Sequence, residues 1–285
     1  MAPDVRVVCD STADLDPEYR RVHEIPVVAL KVIFGDEVLA DGVDIDPDAF
    51  YARMRTTPGS APRTSQPSPA DFEAVFREAA GAGTTIVCTT ISSELSGSLA
   101  SATAARDALP QLDIRLIDSR TAGLGHNAVV RAAVAAAESG ADADEVVRVV
   151  QEVTSTQQLV FTVETLEYLH RGGRIGGARA LLGSLLNIKP VLHVDGGSVE
   201  ALDRVRTYQR AIDRLVQELE TFAGRWGGRA AVTVGHAARA EGATALAERA
   251  RAFSDGDPVV VAVGPVIGCH AGPGAFGLAF HRPLG

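Results

Sequence analysis

The chain has 285 residues, of which 46% are hydrophobic and 22% charged, and its net charge is −9. Because the only lysines are Lys31 and Lys189 and no basic run exists, the sequence argues against a protein that displaces counterions from nucleic acid. No run of about 18 apolar residues is present either, which argues against stable insertion into a membrane.

The first part of the chain alternates predicted strands with predicted helices. Strands are predicted at residues 5–9, 27–34, 85–89 and 114–117. Helices are predicted after Asp46-Pro47, over 72–80, after Gly97, and over 122–137 and 143–153. An acid or hydroxyl that caps, followed by a proline that fits the first turn, marks two of these starts. The alternation predicts a largely parallel sheet covered by helices on both faces.

The second part has a different pattern. Strands are predicted at 159–163 and 259–263, with a hairpin of 191–194 and 198–202 around Asp195-Gly196-Gly197, and further segments lie at 230–234 and 276–281. Helices are predicted at 181–188, 207–223 and 240–253. The predicted fold class is therefore α/β with two α/β domains, residues 1–160 with a largely parallel sheet and residues 161–285 with a mixed sheet.

Four loops concentrate small polar residues and glycine, at the strand ends where open α/β sheets collect ligands. They span residues 64–68, 92–98, 172–177 and 264–274. Hydroxyls and free backbone N–H groups in the first two suit an anion, although a solvated loop and ordinary helix capping explain them equally well. The third matches neither a dinucleotide nor a P-loop pattern, and it is either a flexible turn or a platform for Arg174.

The fourth loop surrounds His270 with three glycines and a proline within seven residues, which indicates a close approach to a ligand or a structural histidine. In an extended chain Cys269 and His270 would point to opposite sides, so we expect no catalytic dyad. No nucleophile elbow, zinc-binding helix or metal-ligand spacing of histidines is present, so no catalytic residue, metal or cofactor is predicted. An acyl hydrolase or transferase that uses Ser96 with His270 as its base, and a binder of another small carboxylate or phosphate, remain alternatives.

The three cysteines, Cys9, Cys88 and Cys269, are odd in number, widely spaced and without a Cys-x-x-Cys pair. This pattern argues against a disulfide framework or a structural zinc site. The N-terminus has no basic stretch followed by an apolar one, so no signal peptide is predicted. A reducing cytoplasm is the expected location.

Taken in order, these motifs resemble the DegV family of fatty-acid-binding proteins along nearly the whole chain. The motifs that carry the resemblance lie at residues 9–15, 41–45, 64–68, 95–98, 118–119, 166–169, 172–175, 188–190, 204–207 and 268–274. Each piece is short, and their common order makes the resemblance specific. Two departures stand out: Cys269 occupies a position where threonine is common, and His170-Arg171 replaces the usual lysines.

The resemblance implies two domains with a long-chain fatty acid between them, the acyl chain in an apolar tunnel and the carboxylate in a hydrogen-bond network. The matching network residues are Thr64, Ser96, Gly97, Arg206 and His270. It further implies a non-catalytic lipid-binding protein of the bacterial cytoplasm. This protein would present the carboxylate to a separate ATP-dependent fatty acid kinase, which makes acyl phosphate for phospholipid synthesis.

Two further expectations concern surfaces. Arg174, set among glycines, is expected to be exposed near the tunnel mouth and to contact the kinase. The apolar residues that could line the tunnel, with plain core as the alternative, are Leu181, Leu182, Leu185, Leu186, Ile188, Val191 and Leu192.

Overall fold

The computed structural model describes residues 5–56, 62–183 and 188–284. The strands are β1 Val5–Asp10, β2 Val27–Val28, β3 Lys31–Phe34, β4 Glu37–Ala40, β5 Arg63–Ser65, β6 Thr85–Thr90, β7 Asp113–Asp118, β8 Gln158–Thr162, β9 Lys189–Asp195, β10 Ser198–Val205, β11 Ala231–His236, β12 Val259–Ala262 and β13 Phe276–His281. The helices are α1 Pro17–Val22, α2 Pro47–Thr56, α3 Pro69–Ala79, α4 Ser98–Asp107, α5 Leu124–Glu138, α6 Ala143–Thr156, α7 Glu167–Arg171, α8 Tyr208–Arg225, α9 Ala240–Ala250 and α10 Pro265–Ala271.

The N-terminal sheet is parallel and has the strand order β2-β1-β6-β7. Its strands are apolar on both faces because helices cover both. Val7 and Val87 pack with α5 and α6 on one face, whereas Val8 and Cys88 pack with α3 and α4 on the other. The predicted parallel sheet with helices on both faces is confirmed.

The predicted single strand at residues 27–34 is wrong, because the chain changes sheets within it. Val27 and Val28 pair with β1, and after Leu30 the chain enters a small antiparallel sheet of order β4-β3-β5. In that sheet Val32 pairs with Thr64 of β5. The break therefore carries the polar loop after β5 to the side of the molecule where the C-terminal sheet, described next, lies.

The C-terminal sheet is mixed and has the strand order β10-β9-β8-β13-β11-β12. All of its pairs are antiparallel except β11 with β12. The predicted hairpin around Gly196-Gly197 is present as β9 and β10. The chain enters this sheet at Gln158, two residues before the predicted division at residue 160; the division into two domains stays a prediction.

Helix α5 lies between the two sheets. It contacts β1 and β6 of the first sheet and β8, β11 and β13 of the second. Alanine and valine dominate its sequence, and ten of its residues are buried. Its first turn therefore reaches the junction between the sheets, where Leu124 packs against Gly235 of β11.

Two local predictions differ from the structure. Residues 264–274, expected as a loop, contain the short helix α10, which Pro265 starts at a position that suits proline. The helix expected at 181–188 is not seen in the described residues: a 3-10 helix ends at Leu181, and residues 184–187 lie outside them. Among the helices that the structure describes, none has the length and apolar character needed to cross a bilayer.

Candidate functional site

A cavity of about 130 Å³ lies at the junction of the two sheets. Its walls come from both parts of the chain, at the carboxyl ends of β6 and β7, on β8 and β13, and along α10. The apolar residues on these walls include Leu30, Ile91, Leu95, Leu124, Leu159, Phe161, Val194, Val199, Ile267 and Phe276. The cavity therefore offers a lipophilic interior at the sheet edge where ligands were expected.

Polar side chains line part of the same cavity. Thr64, Ser96 and His270, three of the five predicted carboxylate ligands, are among the lining residues, as is Arg174. The Thr64 Oγ1 atom lies 2.9 Å from His270 Nε2, which joins β5 to α10 across 206 positions of sequence. The structure thus brings together four polar residues that the sequence singled out separately.

The other two predicted ligands lie outside the described lining. Gly97 is the N-cap residue of α4 and directly follows Ser96. Arg206 comes one residue after β10 and is exposed. The structure therefore does not place Arg206 with Thr64 and His270, and its contact with a carboxylate stays a prediction.

Ser96 is held at the start of α4 by its own local contacts. Its hydroxyl lies 3.0 Å from the Ser98 hydroxyl and accepts the Ser98 backbone N–H at 3.3 Å. Gln66, which lies in the polar loop 64–68 and is not among the predicted ligands, also lines the cavity. Its amide donates to the Gly97 carbonyl at 3.3 Å and to the Ser101 hydroxyl at 3.1 Å, so it joins the first polar loop to α4.

His270 lies on α10, largely buried, with only part of its hydrogen-bonding capacity used. Its Nδ1 atom is buried and has no hydrogen-bond partner among the described residues. A Cβ on Gly172 would lie 2.1 Å from that nitrogen, so the glycine-rich turn gives the imidazole its room. Burial, and then the charge of Arg174, lowers the pKa of His270 to about 4. The ring is therefore neutral at pH 7 in the ligand-free protein.

Arg174 is exposed at the edge of the cavity, as the sequence predicted. Its Nε donates to the Leu95 carbonyl at 2.9 Å, and its Nη1 donates to the Gly172 carbonyl at 2.8 Å. The guanidinium thus ties the loop that carries Ser96 to the turn beside His270. It also adds a positive charge near the polar end of the cavity.

The premise of an extended chain at Cys269 and His270 is wrong, because both lie on α10. The Cys269 side chain is buried, and burial raises the pKa of its thiol. A thiol that resists ionisation is a poor nucleophile, so the absence of a Cys269–His270 dyad now rests on burial.

Most of the residues proposed for the tunnel wall are not in the described lining. Val191 and Leu192 are fully buried, each in a different hydrophobic cluster. Leu181 packs against the cluster that contains Leu192, and Leu182 is partly exposed. Leu185 and Leu186 lie outside the described residues. The core alternative therefore applies to Val191 and Leu192, and the observed walls come mainly from β8, β13 and α10.

The neutral state of His270 predicts a loss of stability in acid. The unfolded chain takes up this proton near pH 6.5, whereas the folded protein resists it down to about pH 4. The free energy of unfolding should therefore fall as the pH drops through this window, by on the order of 2 kcal/mol at pH 5. Urea titrations at pH 7 and pH 5 measure this loss, and His270→Asn should lose less than the wild type by about this amount, because His126 and His281, whose pKa burial also lowers, remain in both proteins. An equal loss in the variant would contradict the assignment.

Fold and site together define an α/β protein with an apolar cavity, at the junction of its two larger sheets, that ends in hydrogen-bonding groups. The sequence profile of the DegV family matches residues 4–282. The chain belongs to the DegV family, which confirms the resemblance.

Known relatives extend this result. A DegV domain-containing protein of Streptomyces coelicolor is 38% identical over 283 residues, covering 98% of each chain. A solved structure of a DegV family protein from Thermus thermophilus, described as binding fatty acid, has a TM-score of 0.91 at 33% identity and covers 99% of this chain and 100% of its own. A stearic acid-binding protein from Eubacterium ventriosum has a TM-score of 0.89 at 29% identity, covering 98% of both chains.

Proposed function

We propose that this protein binds a long-chain fatty acid in the cavity between its sheets. The observation that carries the proposal is the Thr64–His270 pair at 2.9 Å, which places hydrogen-bonding groups at the edge of an apolar cavity. The relatives described as fatty-acid-binding proteins support the same ligand class. The carboxylate would lie beside Thr64, Ser96 and His270, and the acyl chain would run along β8 and β13.

The energetics suit such an amphipathic ligand. A carboxylate taken from water must recover its hydrogen bonds, and the hydroxyls of Thr64 and Ser96 can donate them. His270 Nδ1 has no partner among the described residues, so it can take up a proton when an anion binds nearby. Each buried CH₂ group of the chain contributes roughly 0.8 kcal/mol.

The alternative of an acyl hydrolase is weaker. Ser96 and His270 line the same cavity, but the Ser96 hydroxyl lies against Ser98 and His270 Nε2 lies against Thr64. A serine nucleophile needs its base within hydrogen-bond reach. A covalent acyl group on Ser96 after incubation with an activated acyl ester would decide for the enzyme.

The finer part of the proposal is that the protein presents the bound carboxylate to a separate ATP-dependent fatty acid kinase. The resemblance to the family suggested this partner. The exposure of Arg174 beside the polar end of the cavity supports a docking role, because an exposed cation there could pair with an acidic partner surface.

Ligand identification tests the central proposal. The protein is expected to retain a fatty acid through purification, at about one per chain, because several kilocalories of chain burial favour slow release. Native mass spectrometry gives the stoichiometry, and extraction followed by mass spectrometry gives the identity. A short polar metabolite in place of a fatty acid would contradict the proposal.

A further inference from the structure

Two acidic side chains lie buried at the start of α10, away from the polar end of the cavity. Asp14 and Asp41 have exposed fractions of only 9% and 4%. They border a second cleft, of about 640 Å³, between the two parts of the chain. Ser11 Oγ donates to Asp41 Oδ2 at 2.7 Å, whereas Asp14 Oδ2 has no hydrogen-bond partner among the described residues.

The two carboxyl groups lie at the start of α10, which has no side-chain cap of its own. Its N-cap residue is Gly264, which has no side chain, and its first residue is Pro265, which has no N–H. The backbone N–H of Gly264 lies near Asp14 and that of Val266 near Asp41, and each opposes the rise in the pKa of its carboxyl. A Cβ on Gly264 would lie 2.4 Å from Asp14 Oδ1 and 3.8 Å from Asp41 Oδ1, so both carboxyls crowd one glycine.

The capped helix carries part of the cavity wall. Ile267 and His270 of α10 both line the cavity. A Cβ on Gly123 would lie 3.5 Å from Asp14 Oδ2 and 3.7 Å from Ile267, so the unpartnered oxygen lies directly behind this wall. If Asp14 were ionised, this buried oxygen would carry negative charge without a hydrogen-bond donor, which costs desolvation free energy. Protonation of the carboxyl removes most of that cost.

The surroundings favour retention of a proton by the pair. Burial, followed by the charge of Asp41, raises the pKa of Asp14 well above its usual range. Burial also raises the pKa of Asp41, to about 7, and Asp10 on β1 adds a further negative charge. Tyr51 of α2 and Cys269 of α10 also face the pair, and burial raises the pKa of each, so both are neutral.

The cations on the cleft wall are engaged elsewhere. Arg20 donates to the Ile25 carbonyl, and Arg21 pairs with Glu18. The remaining acidic residues of the cleft are Asp16, Glu24, Asp46 and Glu78. The field at Asp14 and Asp41 is therefore predominantly negative, and it favours a proton on one of them.

We propose that Asp14 and Asp41 are positioning residues for the fatty-acid site, which hold the first turn of α10 and share a proton as they do so. This inference rests on the proposed function. Because each pKa is raised, the stabilisation is present at low pH and is lost as the pH rises through about 7 and above. Two negative charges would then repel each other, loosen α10 and displace Ile267 and His270.

The test is a titration with dodecanoate by calorimetry between pH 6.5 and pH 9.5. The wild type and the control Glu78→Gln, an exposed carboxyl of the same cleft, should lose about five- to tenfold in affinity across this range. Asp14→Asn and Asp41→Asn keep the shape and remove a charge, so each, whatever its affinity at pH 6.5, should lose less than about twofold between pH 6.5 and pH 9.5. Equal losses in all four proteins would overturn the proposal.

Hydrogen exchange of the ligand-free protein separates this inference from the proposed function. After correction for intrinsic exchange, protection of the α10 amides should fall at high pH in the wild type and not in Asp14→Asn. If this holds while dodecanoate binds at no pH, the proposed function fails and the capping of α10 stands. If dodecanoate binds and the protection is independent of pH, the positioning role is wrong.

Discussion

Replacing Thr64 by valine is expected to weaken fatty-acid binding by about ten- to hundredfold. Valine keeps the branched shape, and β5 tolerates it because position 64 pairs with Val32 in an antiparallel strand pair. The change removes the hydroxyl that bonds His270 and that would donate to the bound carboxylate. Losing one charge-assisted hydrogen bond costs about 1.5–3 kcal/mol.

Two further variants make this titration specific. Thr64→Ser keeps the hydroxyl and should retain most of the affinity. Ser65→Ala changes the exposed neighbour on the same strand, whose hydroxyl bonds only the Gln66 carbonyl among the described contacts, and should bind as the wild type does. If Thr64→Val binds as tightly as Thr64→Ser, the carboxylate lies elsewhere in the cavity.

Replacing Arg174 by alanine is expected to separate binding from partnership. Its side chain is exposed and its hydrogen bonds reach backbone carbonyls, so solvent screens its charge and fatty-acid affinity should stay within about threefold. Acyl-phosphate formation by the proposed kinase partner should fall at least about tenfold, because the cation would meet the partner or the charge that develops during phosphoryl transfer.

The measurement is a fatty-acid titration beside a kinase assay on one preparation. Arg251→Ala removes a similarly exposed arginine, which pairs with Asp257, and should change neither quantity. If binding collapses in Arg174→Ala, this residue belongs to the carboxylate site. If neither binding nor acyl-phosphate formation changes, Arg174 is a solvated turn residue.

Local patterns predicted the regular elements well where the signal lay within a short stretch. Ser68 caps α3 with a reciprocal contact from Asp71, as the Ser-Pro start signal indicated. The turn at Gly196-Gly197 joins two antiparallel strands as expected. Such features depend on neighbours in sequence, so one sequence suffices to find them.

Features that depend on distant contacts were missed or misplaced. The strand at 27–34 divides between two sheets, which no local periodicity records. Helix α10 is short and glycine-rich, and its start lies beside Asp14 and Asp41, more than two hundred positions away. The order of motifs indicated Thr64, Ser96 and His270 together, whereas the chain path after β10 leaves Arg206 outside the described cavity lining.

The position of α5 ties the folding of the two sheets together. Its valines and several of its alanines pack with β1 and β6, whereas Leu124 in its first turn packs against β11 and the helix also contacts β8 and β13. A fragment that ends near residue 157 would expose the face of α5 that contacts the C-terminal sheet. A fragment that starts near residue 157 would expose the part of that sheet that α5 covers. We therefore expect the two halves to fold cooperatively, with the cavity at the first turn of α5 complete only when the whole chain has folded.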